Sequence, residues 1–323
     1  MMRLPTFSYA APRTPNEVVK ILHEEGPSAH VVAGGTDLYP NMKRRQHEPK
    51  TVVSLRHVGA LRGIEWRADG TLRIGPAETL RAVERDPRVK KELPGLFDAL
   101  VSISTPLLRN MGTIGGNVCL DTRCNYLNQN YEWRRAINHC LKCGGDTCWT
   151  APGGTKCWAV NSSDTVPMMI VLGARFWLAG PDGERDVAAA DFYAIEDGRE
   201  WLARRPGELL TDIVIPPQNG ARSAYRKLRR RDAFDFPVLG VAARVEGNGK
   251  VDRAEIVLNA LGPAPIRCTE AEQALVAGAT VEEAAALAPK AARPLDNTDH
   301  MPSWRKKMVR VFVKRALEAT RNP

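Results

Sequence analysis

Residues 124–157 read CNYLNQNYEWRRAINHCLKCGGDTCWTAPGGTKC and hold five of the chain's seven cysteines. A polar stretch of that length is costly to order unless something staples it. Disulfides, zinc and an iron-sulfur cluster are the three candidates. The start MMRLPTFSYAAPRTP has neither an apolar signal core nor a small-residue cleavage site, so a reducing cytoplasm is the expected compartment. Disulfides rarely persist there, which leaves metal. Cys140-x-x-Cys143 is half a zinc ribbon, and four thiolates suit tetrahedral zinc. No second C-x-x-C follows, and a cuboidal cluster tolerates the long irregular spacings of the other cysteines equally well. Trp133, Trp149 and Trp158 are expected to give the stretch a core. His139 would be a further zinc ligand or, more simply, a solvent-facing histidine. Isolated Cys268 reads as a small buried hydrophobe.

The 323 residues, 43% hydrophobic and 26% charged, suit a soluble globular chain of two domains. No apolar run is long enough to span a bilayer. The best candidate, MMIVLGARFWLAG, carries Arg175 and reads as a core strand pair. The net charge of +9 includes a concentration at Arg226, Lys227, Arg229, Arg230 and Arg231. Such a run suits a strand with one solvated face or a surface that steers an acidic partner. No helix-turn-helix, RNP or zinc-finger pattern points to nucleic acid.

Thr14, Pro15 and Glu17 read as a capping box with proline in the first turn, Val18, Ile21 and Leu22 share a face, and Gly26 ends the helix. Apolar strands at 29–33 and 52–55 complete a βαβ-like unit. A helix is expected around 91–103, and PDGE turns a hairpin. Near residue 218, PPQNGARS reads as a linker, which divides the chain into 1–217 and 218–323. The second part runs through SAYRKLRR, PVLGVAARVE and VDRAEIVLNALG as strands, then helices with capping boxes at Thr269/Glu272 and Thr280/Glu283. The last helix places Val309, Phe312, Val313, Ala316 and Leu317 on one face. Strands followed by helices argue an α+β fold.

Gly34-Gly35 follows a buried strand, where glycine lets backbone N–H groups approach a phosphate. Gly115-Gly116-Asn117 is a second such pair, and two loops of this kind can close on one pyrophosphate. Neither matches G-x-G-x-x-G or a P-loop. Asp164 is suited to hold sugar or ribityl hydroxyls, as acidic residues do in other nucleotide folds, or to cap a helix.

VVAGGTDL at 31–38, TIGGNV at 113–118, SSDTVP at 162–167 and GELLTDIVIP at 207–216 together resemble the FAD-binding subunit of the molybdenum hydroxylases, the xanthine dehydrogenase and carbon monoxide dehydrogenase family. The resemblance implies a vanillyl-alcohol-oxidase-type FAD domain of two subdomains, followed by a three-stranded sheet with helices. By the same resemblance Val31, Val32, Ala33, Gly34, Gly35, Thr36, Asp37 and Leu38, with Thr113, Ile114, Gly115, Gly116 and Asn117, cradle the FAD diphosphate. Asp164 holds a nucleotide hydroxyl. Ile103, Leu210 and Lys227 line the flavin, Arg226 being one register step from Lys227. Cys119 packs beneath it.

Relatives pass from the GGN loop to the SSD turn by a short link, so residues at about 120–160 form an insertion. It resembles that of the 4-hydroxybenzoyl-CoA reductase β subunit, which carries a 4Fe-4S cluster. That resemblance makes Cys124, Cys140, Cys148 and Cys157 the ligands and leaves Cys143 as a free thiol. It also implies a molybdopterin-binding large subunit, a 2Fe-2S small subunit, a dimer of such heterotrimers and an external carrier such as a ferredoxin. No Ser-His-Asp set or paired carboxylates suggest group transfer, so chemistry would rest on FAD and the cluster. A zinc-stabilised nucleotide-binding module and a stand-alone flavin oxidase are the competing readings.

Overall fold

Thr14 stands in extended backbone and its hydroxyl accepts from Glu17 N at 3.3 Å, which starts the helix Pro15–Glu25. Glu17 completes only half a capping box, because its carboxylate turns back to Arg13 N instead of Thr14 N. Gly26, with φ of 54°, ends the helix, and Val18, Val19 and Leu22 form its buried face. The helix connects strands β1 (Ser8–Ala10) and β2 (Ala29–Val32), and β3 (Thr51–Ser54) pairs parallel with both from the middle. All four residues of β3 are buried.

The computed structural model describes residues 3–321. A second sheet is antiparallel and draws on two distant parts of the chain. It comprises β4 (Ile64–Trp66), β5 (Leu72–Ile74), β6 (Arg175–Gly180), β7 (Gly183–Ala188) and β8 (Leu209–Ile215), in the order β4-β5-β8-β6-β7. The β6–β7 hairpin turns at Pro181-Asp182, as expected. The Met168–Val171 half of MMIVLGARFWLAG is helical instead, within Val166–Val171, because Pro167 favours the first turn and only the residues from Arg175 onward alternate. The region around 91–103 divides into Pro87–Glu92 and Pro94–Ser102, since Pro94 cannot continue a helix.

The third sheet is antiparallel: β9 (Arg222–Leu228), β10 (Leu239–Glu246), β11 (Arg253–Asn259) and the two-residue β12 (Ile266–Arg267), in the order β12-β11-β10-β9. The short fourth strand extends the expected three. Strand alternation divides this sheet between two cores. Leu239, Val241, Ala243 and Val245 pack with Val309, Phe312, Val313, Ala316 and Leu317 of the terminal helix Pro302–Arg321. Tyr225, Ala242 and Val257 face the other way, into the large core shared with Leu72, Ile74, Leu96, Ile114 and Phe176. Contact there is close: a Cβ on Gly95 would stand 2.8 Å from Ala224 N. Cys268 is buried in the terminal-helix core, as a small hydrophobe.

Only one of the two C-terminal capping boxes forms. Thr280 accepts from Glu283 N, and Glu283 returns to Thr280 N at 2.8 Å. At the other, Cys268 is the cap residue, and Glu272 instead accepts from Ile256 N and from Arg267. Thr280→Ala should therefore cost about 1 kcal/mol in urea denaturation, while Thr269→Ala, an exposed position, should change stability by less than about 0.5 kcal/mol.

Candidate cofactor site and cysteine module

The two glycine loops lie directly on one another. A Cβ on Gly34 would sit 1.9 Å from the Met111 carbonyl oxygen, so the first loop touches the backbone that leads into the second. Gly35, at φ +71°, packs on the Tyr39 ring. In the second loop Gly115 abuts Pro76, where a Cβ would be 2.5 Å from the Pro76 side chain. Thr113 caps the short helix Ile114–Val118 by accepting from Gly116 N at 3.0 Å. Gly116 is the exposed member of the pair, whereas Thr113, Ile114, Gly115 and Asn117 are buried. Residues 33–38 are half-buried and follow Val31 and Val32 of β2. This is a cradle of close-packed backbone open on one side, which suits a diphosphate.

Asn117 ties the second loop to the SSD turn. Its Oδ1 accepts from Ser163 Oγ at 2.8 Å and Thr165 Oγ1 at 2.6 Å. Asp164 is buried and does not cap the following helix, whose cap residue is Thr165. Its carboxylate accepts from Tyr225 Oη at 2.8 Å and Lys227 Nζ at 2.9 Å. Burial pushes this carboxyl above the usual carboxylate range, against the pull of Lys227 and Tyr225. Lys227 also donates to the carbonyls of Ser102 and Asp235, at 3.0 and 2.8 Å. Arg226 turns to Asp98, so Lys227 is the residue that reaches the site. Ile103, at the end of the helix Pro94–Ser102, and Leu210, on β8, are both nearly buried in the adjoining core. The turn has polar capacity in reserve, because Ser162 Oγ and Asn259 Oδ1 are buried without partners. Tyr225 and Asn259 were not singled out from the sequence. A lone asparagine ending the apolar run AEIVLN is the signal that marks the second.

The cysteine stretch is closed at its base by an antiparallel bridge, Arg123 N to Val160 O at 2.9 Å and the reverse at 2.7 Å. Its interior consists of Cys124, Leu127, Cys140, Cys157 and Ala159, with Tyr126, Leu141 and Cys143 beside them. The expected tryptophan core does not form: Trp133 and Trp149 are exposed and only Trp158 is half-buried. His139 is also half-buried, and its Nδ1 has no partner. Cys124, Cys140, Cys148 and Cys157, all buried, line a single cavity with Lys142, Trp149 and Thr150. Cys143 and Cys119 do not line it. Among the described residues, no three His, Cys, Asp or Glu side chains are placed to hold a metal ion. All seven thiols are free of disulfides. Burial pushes Cys157 up to about 11 and raises Cys124, while the hydrogen bond with Cys140, then Arg134, pulls Cys143 down to about 6.

The module is anchored to the glycine-loop region through charge. Arg123, next to Cys124, pairs with Asp37 and stacks on Phe236 at 3.7 Å. Lys142, between Cys140 and Cys143, donates to Asp121, Thr122 and Gly198 and lies 4.1 Å from the Trp201 ring. Burial opposes ionisation of Asp121, yet Lys142 and His47 hold it at about 2.

The model for the FAD binding domain in molybdopterin dehydrogenase matches residues 5–218, and that for the CO dehydrogenase flavoprotein C-terminal domain matches 223–320. The chain belongs to this flavoprotein family. It is an FAD-binding subunit of a molybdenum-hydroxylase-type oxidoreductase. It is 32% identical over 319 residues to the carbon monoxide dehydrogenase medium chain of Afipia carboxidovorans, covering 97% of this chain and 96% of that one. It is 29% identical over 269 residues to a putative xanthine dehydrogenase FAD-binding subunit of Escherichia coli, covering 82% and 78%. The reconstituted CO dehydrogenase from Oligotropha carboxidovorans superposes with a TM-score of 0.80 at 31% identity, covering 100% of both chains. Among the described residues, no helix is long and apolar enough to cross a membrane.

Gly34→Ala should destabilise the subunit by about 1 to 3 kcal/mol, because the clash is with backbone that cannot rotate away. Gly153→Ala, with nothing within 4 Å of the added carbon, is the neutral control in the same thermal and denaturant melts. Asp164→Asn should cost about 3 to 5 kcal/mol by leaving the Lys227 ammonium buried and unpaired. Asp164→Asn combined with Lys227→Met should recover most of that loss. A single-variant cost below about 1 kcal/mol would show that water reaches the pair in solution.

Proposed function

We propose that this subunit relays electrons between an external carrier and molybdenum-bearing partner subunits, through FAD and a 4Fe-4S cluster held by Cys124, Cys140, Cys148 and Cys157. The observation that carries the cluster is that these four buried thiols line one cavity. Tetrahedral zinc at a Zn–S distance near 2.3 Å requires sulfurs about 3.8 Å apart around one point. A cuboidal cluster binds each thiolate to a different iron, so its ligands stand farther apart around a larger void. The all-thiolate donor set, with irregular spacings and no second C-x-x-C of a zinc ribbon, favours the cluster over zinc.

For FAD, residues 31–38 and 113–117 are proposed to hold the diphosphate, Asp164 a nucleotide hydroxyl, and Ile103, Leu210 and Lys227 the flavin environment. Bound FAD exchanges electrons singly or in pairs, and an iron-sulfur cluster exchanges one at a time. The protein's part is positional. Gly34 and Gly115 set how closely backbone approaches the diphosphate, Asn117 and Ser163 fix the loop against the turn, and Lys227 holds the Asp164 carboxylate in place. The glycine-loop and cysteine modules share the Arg123–Asp37 contact, which keeps the two proposed cofactor sites in a fixed relation.

The assignment extends to a division at residues 1–217 and 218–323 and to a cytoplasmic complex. The complex is a heterohexamer, two copies each of this chain, a molybdopterin-binding large subunit and a 2Fe-2S small subunit. The insertion's likeness to that of 4-hydroxybenzoyl-CoA reductase supports a reductase-like relay fed by a ferredoxin-type carrier. Purified native complex should contain FAD, four irons and acid-labile sulfide per copy of this chain. Cys148→Ser should lose the iron and sulfide and keep FAD, while Cys143→Ser should keep all three. A wild-type protein holding zinc and no sulfide would overturn the cluster, and a colourless one would overturn the flavin assignment as well.

A further inference from the structure

One residue in the wall of the four-thiol cavity reaches the protein surface. Trp149 lines the cavity beside the four cysteines and is 36% exposed, whereas the rest of the wall, Tyr126, Leu141 and Ala159 included, is buried or half-buried. The indole thus stands between the cavity and water. Its Nε1 donates to the His139 carbonyl at 2.7 Å. His139 adjoins Cys140 and Trp149 adjoins Cys148, so this bond spans from one cysteine to the other. Leu141 N, donating to Thr147 O at 2.8 Å, draws the same two segments together. On the far side of the ring, Thr150 Oγ1 lies 3.4 Å from Cys124 Sγ.

The carbonyl that receives the indole is held by unusual backbone. Asn138 and His139 are both left-handed, at φ of 59° and 60°, a conformation that residues other than glycine seldom adopt. Gly145 makes room for the turn, because a Cβ there would stand 2.7 Å from the Asn138 carbonyl oxygen. Strained backbone persists where the surrounding structure fixes a particular contact. Here the contact is the one that holds Trp149 in place. Trp133, 39% exposed in the same module, does not line the cavity.

We propose that Trp149 is the cover of the cluster cavity, the side chain that decides how far water and external reagents reach the cluster and thereby sets its reduction potential. The inference rests on the cluster assignment above. An apolar shell around a metal site controls solvent access and local dielectric, and solvent exposure is one of the factors that set the potential of an iron-sulfur cluster. Reduction makes a cluster held by four thiolates more negative, and water stabilises the more highly charged form. The cover therefore keeps the potential below the value an open cavity would give. Trp149 supplies no ligand, so it is a positioning residue.

The test uses the intact complex with Trp149→Ala, Trp149→Phe and, as a control, Trp133→Ala. Iron and sulfide are measured per protomer, then the rate at which iron passes to an excess of a ferrous-iron chelator, and the cluster midpoint by redox titration followed by electron paramagnetic resonance. Trp149→Ala should carry wild-type iron and sulfide when freshly purified, release iron about tenfold faster and show a more positive midpoint. Trp149→Phe keeps an apolar ring without the bond to His139 and should fall between. Trp133→Ala should match wild type in both readouts. A loaded Trp149→Ala unchanged in rate or in midpoint overturns the cover. So does a Trp133→Ala that shifts as far, since any loosening of the module would then suffice. If Trp149→Ala assembles no cluster, Trp149→Phe decides by the same two readouts. Failure of both to assemble one also overturns the cover, because Trp149 would then serve the folding of the module. Wild-type complex without iron and sulfide is the separate result that refutes the cluster itself.

Discussion

A carboxylate buried beside an ammonium holds this molecule's parts in register. Asp164 lies in the turn between the cysteine module and the helix Val166–Val171, and Lys227 lies on β9 of the third sheet. Their 2.9 Å contact, with Tyr225 on the same carboxylate, joins the C-terminal sheet to the flavin-binding part at one point. Both charges are removed from water, so the pair contributes little net stability while its disruption is expensive. Such an interaction specifies where the elements sit. Asn117 extends the effect, because its amide oxygen gathers the hydroxyls on both sides of Asp164 and carries that register into the second glycine loop.

The cysteine module depends on the same frame. Asn161, one residue beyond the bridge at its base, exchanges backbone hydrogen bonds with Ala260 and Gly262 and accepts from Asn259. Arg305 of the terminal helix holds the carbonyls of Ala260 and Leu295, and Asn297 in turn holds those of Trp158 and, through its own carbonyl, the amide of Asn125. A module with few apolar residues of its own is thus seated by polar contacts to two distant segments, residues 259–262 and Asn297, which Arg305 ties together. That explains how a mostly irregular stretch can keep four thiols around one cavity.

Much of this was legible in the sequence where a short-range rule applies. The first helix, the β6–β7 hairpin, the Thr280 cap and the inward face of the last helix follow from local spacing and turn chemistry. The family motifs located both glycine loops and Asp164. Local rules failed where tertiary partners competed. Glu272 has the right spacing for a capping box but serves Ile256 N and Arg267, because leaving a buried strand amide unpaired is costlier than leaving a helix end to water. The three tryptophans suggested a core, yet thiols and leucines fill the interior while two indoles stay outside. Arg134 and Lys142 carry no sequence signal of burial. Both occur in polar surroundings, and only the folded path shows that Lys142 meets Asp121 and that, among the described residues, Arg134 meets no carboxylate.

The basic run at residues 226–231 shows how charge in a sequence differs from charge at a surface. Arg226 is paired with Asp98, Lys227 with Asp164, Arg230 with Asp299 and Arg231 with Asp235, while Arg229 donates to the Ser102 carbonyl. Paired charges contribute little to the long-range field that steers association. The run is better understood as a set of tethers that fix β9 and the loop after it against the helix Pro94–Ser102, the element that leads directly into Ile103. Much of its role is therefore internal: Arg226, Lys227 and Arg229 hold β9 against the helix that carries Ile103.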